Sequence, residues 1–358
     1  LDTTGEYYLH VGSGNGSFVK VSRRPGAFKY ATTWDGFTIR NGKLNTGLEP
    51  NGRIGGAGAA IYTNVTLKNC IVTNCRYEAD NKNQLRAGGV YCDEGTLVNC
   101  YIQNNVLNNY KHDYAFTAYG AGVYLYKGTM YNCVINGNTG KGNTTDGAGI
   151  FIEYGKFFNN TVIGNHSDGT ERGNGGICIY NSGGGGKLTI YNCVAVANTS
   201  RKMPLTGSDD IAVSNKGVIN CFNTITSDTK DHYINENKGI HYVNSMSVTD
   251  VGTIFKDVPN KDFRLKAGSP ALNMGDDAPV VDSATIYLEY YTDMDFTDRI
   301  KDCRVDAGAY ESENEENIKA EGEGKADADT LTYYVTQNGA GTRSGENPDN
   351  AACAMKLQ

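Results

Sequence analysis

The residues best equipped for chemistry lie in five polar segments that recur along the chain: RYEADNKNQLRA (76–87), VLNNYKHDYAFTAY (106–119), TGKGNTTD (139–146), HSDGTERGN (166–174) and TSRKMPLTGSDD (199–210). Two chemistries fit them. The first is glycan binding by Arg76, Tyr77, Tyr110, His112, Asp113, Tyr114, His166 and Glu171. Tyrosine faces stack on sugar rings, while Asp and Arg hydrogen-bond hydroxyls or uronate carboxylates. The second is polysaccharide cleavage. A lyase needs acidic Ca²⁺ ligands and a base beside the uronate, and a hydrolase needs two or three carboxylates within a few ångströms. Asp80, Asp113, Asp146, Asp168 and Arg172 are the candidates. No paired-Asp motif marks a catalytic site, and solvation of polar loops accounts for any one of these residues taken alone. The cluster from Tyr110 to Tyr114 is denser than solvation requires.

Such segments act together only if the elements between them bring them to one side, and the sequence between them is repetitive. Aligned on an Asn-Cys step, the copies are TLKNCIVTN (66–74), TLVNCYIQN (96–104), TMYNCVING (129–137), KFFNNTVIG (156–164), TIYNCVAVA (189–197) and GVINCFNTI (217–225). A degenerate copy, TTWDGFTIR (32–40), places Asp35-Gly36 at the same step. The step falls at Cys70, Cys100, Cys133, Asn160, Cys193 and Cys221, a period of about 30 residues typical of repeat architectures. About ten residues earlier stands a second signature: AIY (60–62), GGVY (88–91), AGVY (121–124), AGIF (148–151), GGIC (175–178) and DIA (210–212).

The units are short β-prone segments broken by Gly, Asn and Asp, without sustained helical periodicity. Each reads as one coil of a parallel solenoid, stacked about 4.8 Å from the next. Leu97 and Ile102 are five apart, as are Leu67 and Val72. A straight strand would put the members of such a pair on opposite faces, so a bend must lie between them. Asn tolerates the left-handed backbone that a bend can require. The Asn therefore marks a corner, with both flanking apolar residues facing one narrow core. The five variable segments, at one repeat position, then stack on one side.

Composition bounds the remaining possibilities. Gly is 45 of 358 residues, Tyr is 24, the net charge is −7, and Lys and Arg form no stripe that would suit nucleic acid. No apolar run is long enough to span a membrane. The ten Cys include C-x4-C and C-x7-C spacings at Cys70, Cys75, Cys92 and Cys100. Five Cys share one repeat position, however, and no His accompanies them. A buried structural ladder is the expectation, with no metal, and neighbours could pair if the protein is exported. A sequon that includes Asn160, a presumed buried position, favours an unglycosylated bacterial product.

By organisation, residues 1–31 read as an incomplete first coil or cap, 32–258 as the solenoid and 259–311 as a terminal cap. Residues 312–330 form an acidic linker by composition. Residues 331–358 open a further domain or form a docking tail.

The strings DGFTIRNG (35–42), GGVY and NC-x-I resemble the right-handed parallel β-helix of the pectin-lyase-like superfamily. They are similar to bacterial cell-surface proteins of the polymorphic-outer-membrane-protein and choice-of-anchor type. DFRLKAGSPALNMG (262–275) with RVDAGAYE (304–311) resembles the segment that ends such helices, and YYVTQNGAGTRSG (333–345) resembles the opening of another. The resemblance covers residues 32–311 and implies an all-β fold of about 30-residue coils, cut from a longer exported protein. It implies a monomer at the bacterial surface whose partner is a polysaccharide or surface glycan. The function expected is non-catalytic: adhesin-like or carbohydrate-binding. The alternative is a lyase or hydrolase, and a lyase would use Ca²⁺.

Overall fold

The computed structural model describes residues 19–21, 31–44, 55–79, 84–109, 117–180, 188–202, 208–214, 219–227, 239–276, 292–300, 304–312, 335–336 and 352–353. It contains two compact units, 1–249 and 250–358.

The first unit is a parallel β-solenoid with coils of about 31 residues. Three sheets run along it, one of 13 strands and two of eight. The first sheet carries Val90–Asp93, Val123–Tyr131, Ile150–Phe158 and their neighbours; the second carries Ile71–Thr73, Tyr101–Gln103 and Val134–Asn136; the third carries Arg76–Ala79, Val106–Asn109, Thr139–Asp146 and His166–Gly173. All pairings within these sheets are parallel and place equivalent residues of successive coils side by side. Leu67, Leu97 and Met130 align, as do Val72, Ile102 and Ile135. Both columns face one continuous apolar core.

The odd spacing is resolved at the corners. Asn69, Asn99, Asn132, Asn159 and Asn192 all have positive φ, between 50° and 53°. Each turns the chain from the first sheet into the second, so Leu97 and Ile102 both point inward and are fully buried. Left-handed backbone costs most L-residues about 1–2 kcal/mol, and Asn bears it best among those with a side chain. The corner amides also hydrogen-bond along the stack, Asn223 to Asn192 at 3.3 Å and Asn192 to Asn159 at 3.4 Å.

The column after the corner holds Cys70, Cys100, Cys133, Asn160 and Cys193, but it continues through Thr224, not Cys221. Cys221 pairs with Ile190 inside a strand. The left-handed corner there is Asn223, and the Ile225 N–H donates to the Cys193 carbonyl. The Asn220-Cys221 string imitates the step three residues early. Likewise Asp35 aligns with Lys68, so Gly36 (φ 77°) is the corner in that coil, and Ala59, not Ile61, aligns with Val90. Cys70, Cys75, Cys92, Cys100, Cys133, Cys178, Cys193 and Cys221 are buried and none is in a disulfide.

A second inward column follows the next corner. The Asn105 N–H donates to Asn138 Oδ1, Asn138 to Asn165 and Asn165 to Asn198, at 3.0–3.1 Å. Each side-chain amide also donates to the next Oδ1, at 2.9–3.0 Å. This ladder explains the glycine of the second signature. A Cβ on Gly122 would lie 2.8 Å from Asn138 Nδ2 and 2.4 Å from the Gly149 carbonyl oxygen.

In the second unit, Phe255–Asp257 and Asp262–Leu265 pair antiparallel, crossing the 258/259 boundary expected from the sequence. Arg299 is fully buried there and donates to the Asp306 and Gly308 carbonyls at 2.8 and 2.6 Å. Its Nε lies 3.6 Å from Glu311, whose carboxyl is raised well above the usual range, chiefly by burial. Val335–Thr336 and Ala352–Cys353 pair in parallel. Of the linker expected at 312–330, residues 313–330 lie outside the described residues.

Candidate functional site

Alternation along the first sheet sends every second side chain outward, and parallel register collects these into columns. One outward column runs Ala60, Tyr91, Tyr124, Phe151, Cys178, Ala212. Tyr91, Tyr124 and Phe151 stack face to face, with centroids 5.4 and 5.5 Å apart and interplanar angles of 6° and 15°. Small residues at both ends limit this stack to three rings. Beside it, Asp93 aligns with Tyr126 and Tyr126 with Tyr154, and a bulge in Ile150–Phe158 leaves Glu153 without a register partner between them.

A pocket of about 100 Å³ opens where these columns meet, lined by Arg86, Tyr91, Asp93, Tyr124, Tyr126 and Glu153. Arg86 comes from the end of the third sheet, and its guanidinium carbon lies 5.1 Å from the Tyr124 ring centre. The Tyr124 hydroxyl donates to Glu153. Burial holds the Tyr91 and Tyr124 hydroxyls above their ordinary pKa, so both remain phenols at neutral pH. Lys127 sits over Tyr126 at 5.2 Å and pairs with Glu94 at 3.7 Å. The site thus combines aromatic surface, two carboxylates and a guanidinium.

The residues singled out in the sequence fall in three places. Arg76, His166 and Asp168 lie on the outer face of the third sheet. Its register sets Arg76, Val106, Thr139 and His166 in one column and Glu78, Asn108, Lys141 and Asp168 in the next. Arg76 and Glu78 form an ion pair, and its hydrogen bond pulls the Glu78 carboxyl below the usual range. His166 Nδ1 is 2.9 Å from Thr199 Oγ1, and Asp168 is 3.6 Å from Arg201. Glu171 is exposed. Asp146 and Arg172 come together near the end of the sheet at 3.8 Å, and burial pushes the Asp146 carboxyl up to about 6. Tyr77 departs from expectation: alternation points it inward, and it is a core residue only 3% exposed. Asp80, Tyr110, His112, Asp113 and Tyr114 lie outside the described residues.

No family model, curated protein or solved structure matches this chain. Among the described residues, no group of three or more His, Cys, Asp or Glu is placed to hold a metal ion, and no helix is long and apolar enough to cross a membrane.

The pocket residues were overlooked in the sequence because Tyr91 and Tyr124 belong to the GGVY and AGVY signatures, which read as plain strand. A signal was present nonetheless: an aromatic recurs at one repeat position in three successive coils.

Proposed function

We propose that this chain is a carbohydrate-binding, non-catalytic β-helix protein of the bacterial surface, related in kind to the pectin-lyase-like solenoids that its sequence resembles. The observation that carries this reading is the pocket between Arg86 and Glu153. Partly exposed tyrosine at Tyr126 stands beside charged hydrogen-bonding groups, the combination with which sugar rings and their hydroxyls are held. The polar columns of the third sheet supply a second surface of regular spacing. Affinity electrophoresis through gels holding pectic, host and bacterial polysaccharides tests the proposal. Retardation that Tyr126→Ala abolishes supports it, and unhindered migration in every gel refutes it.

A hydrolase is the second reading, because Asp93 and Glu153 line the same pocket, and paired carboxylates are what glycoside hydrolysis requires. New reducing ends in the gel lanes, lost in Glu153→Gln, would establish it over the first.

A further inference from the structure

We infer that the group seated in this pocket is the protonated amine of an amino sugar, so that the ligand is a glycan with free glucosamine-type units; the inference rests on the glycan-binding reading above. Charge selects a cation. Asp93 and Glu153 face a single guanidinium, Arg86, among the six lining residues. Lys127, over the Tyr126 ring, pairs with Glu94, and these two charges cancel. The pocket is therefore net negative, within a chain of net charge −7 that draws cations towards it.

The aromatic rings point to the same class of ligand. Ring faces attract cations, and aromatic residues beside carboxylates make a cage for ammonium groups. Here the Tyr91, Tyr124 and Phe151 faces are consumed by stacking on one another, and the guanidinium lies over Tyr124. Tyr126 is only partly buried: Lys127 Nζ lies 5.2 Å from its ring centre, and its contact with Tyr154, centroids 5.9 Å apart, is T-shaped and keeps the two rings from lying face to face. An amine placed between Asp93 and Glu153 would bring its sugar ring against Tyr126. A uronate placed there would meet two carboxylates of its own sign, and an N-acetyl group would add bulk and remove the charge. A lysine side chain offers the same ammonium, but it has no ring to lay against Tyr126.

Calorimetry of the purified chain at pH 6 and low salt, with tetramers of glucosamine, N-acetylglucosamine and galacturonate, tests this. The glucosamine tetramer is expected to bind at least tenfold more tightly than the N-acetylated one, and the galacturonate tetramer not at all. Asp93→Asn and Glu153→Gln should each weaken glucosamine binding at least tenfold while circular dichroism stays unchanged, and Tyr126→Ala should weaken binding too. Equal or tighter binding of the N-acetylated or uronate tetramer, lost in Tyr126→Ala, would overturn the amine assignment and leave glycan binding standing. Binding of a trimethyllysine peptide but of no sugar would overturn both, as would no binding of any tetramer. Glucosamine binding untouched by either carboxylate substitution would remove the site from this pocket.

Discussion

Asn198 donates both its backbone N–H, at 3.1 Å, and its side-chain amide, at 2.9 Å, to one carboxylate oxygen of Asp210. The other oxygen accepts from the Ser227 N–H and hydroxyl at 2.7 and 2.6 Å. Asp210 precedes Ile211, which aligns with Ile177, so it stands where earlier coils have the glycines Gly89, Gly122, Gly149 and Gly176. Its carboxylate takes the next place in the asparagine ladder. Asp210→Ala would leave buried donors on Asn198 and Ser227 without an acceptor and should cost about 3 kcal/mol. Urea denaturation measures this, and a loss under about 1 kcal/mol would mean that water replaces the carboxylate.

Burial raises the carboxyls of Asp146 and Asp210 from 3.8 to about 6. Their folded pKa thus exceeds the unfolded one. The stabilising contribution of each is complete below pH 4 and is lost as pH rises through 6. At about 1.36 kcal/mol per pH unit, the loss is about 3 kcal/mol for each group. Melting temperature should therefore fall between about pH 4 and pH 6 and level off above. Asp146→Asn should flatten that slope and raise the melting temperature at pH 7; an unchanged slope would reject the assignment.

At the corners, backbone shape outweighs side-chain identity. Asn132 has φ 51°. Replacement by Val should cost about 1 to 2 kcal/mol or more, whereas Gly should cost less because it adopts this conformation freely. Chemical denaturation of the two variants gives the order, and equal losses would mean that the amide, not the backbone, is what matters.

Eight of the ten cysteines are buried and outside any disulfide. Burial raises the thiols of Cys75, Cys92, Cys178 and Cys221; the hydrogen bond with the Cys100 thiol, then burial, raises Cys70, and burial, then the Cys133 thiol, raises Cys100. Thiolate is the reactive form. Native protein at pH 8 should therefore expose no more than Cys303 and Cys353 to a disulfide reagent, with the rest titrating only after unfolding. Rapid reaction of three or more would contradict the burial.

The coil period and the Asn corners were legible in the sequence because both are backbone demands that few residue types meet. The sixth coil was misread for a physical reason. The column after the corner admits any small side chain, and Cys, Asn and Thr all occupy it at Cys133, Asn160 and Thr224. A cysteine is therefore no landmark, and Asn220-Cys221 drew the alignment away from Asn223. Tyr77 was misassigned because a strand begins at Arg76, so alternation, not loop exposure, decides where the ring points. The pocket was hidden because its residues come from different strands, and only the register brings Arg86, Asp93 and Glu153 to one place.

The shortening of the third sheet has a mechanical consequence. Among the described residues of that sheet, His166 and Ser167 alone pair with its last strand, Thr199–Ser200, and the following coil is joined through the other two sheets and through Asp210. Hydrogen bonds between coils lie along the solenoid axis, so tension on that axis loads all bonds of one junction together. The junction with fewest bonds is the fuse. Among the described residues, six register pairs join the Ile219–Phe222 and Ile225–Thr226 strands to Ile240–Val243 and Met246–Ser247, against eight at the junction before it. A molecule pulled from its ends should rupture first between Thr226 and Ile240, while the coils around Tyr91, Tyr124 and Phe151 stay wound.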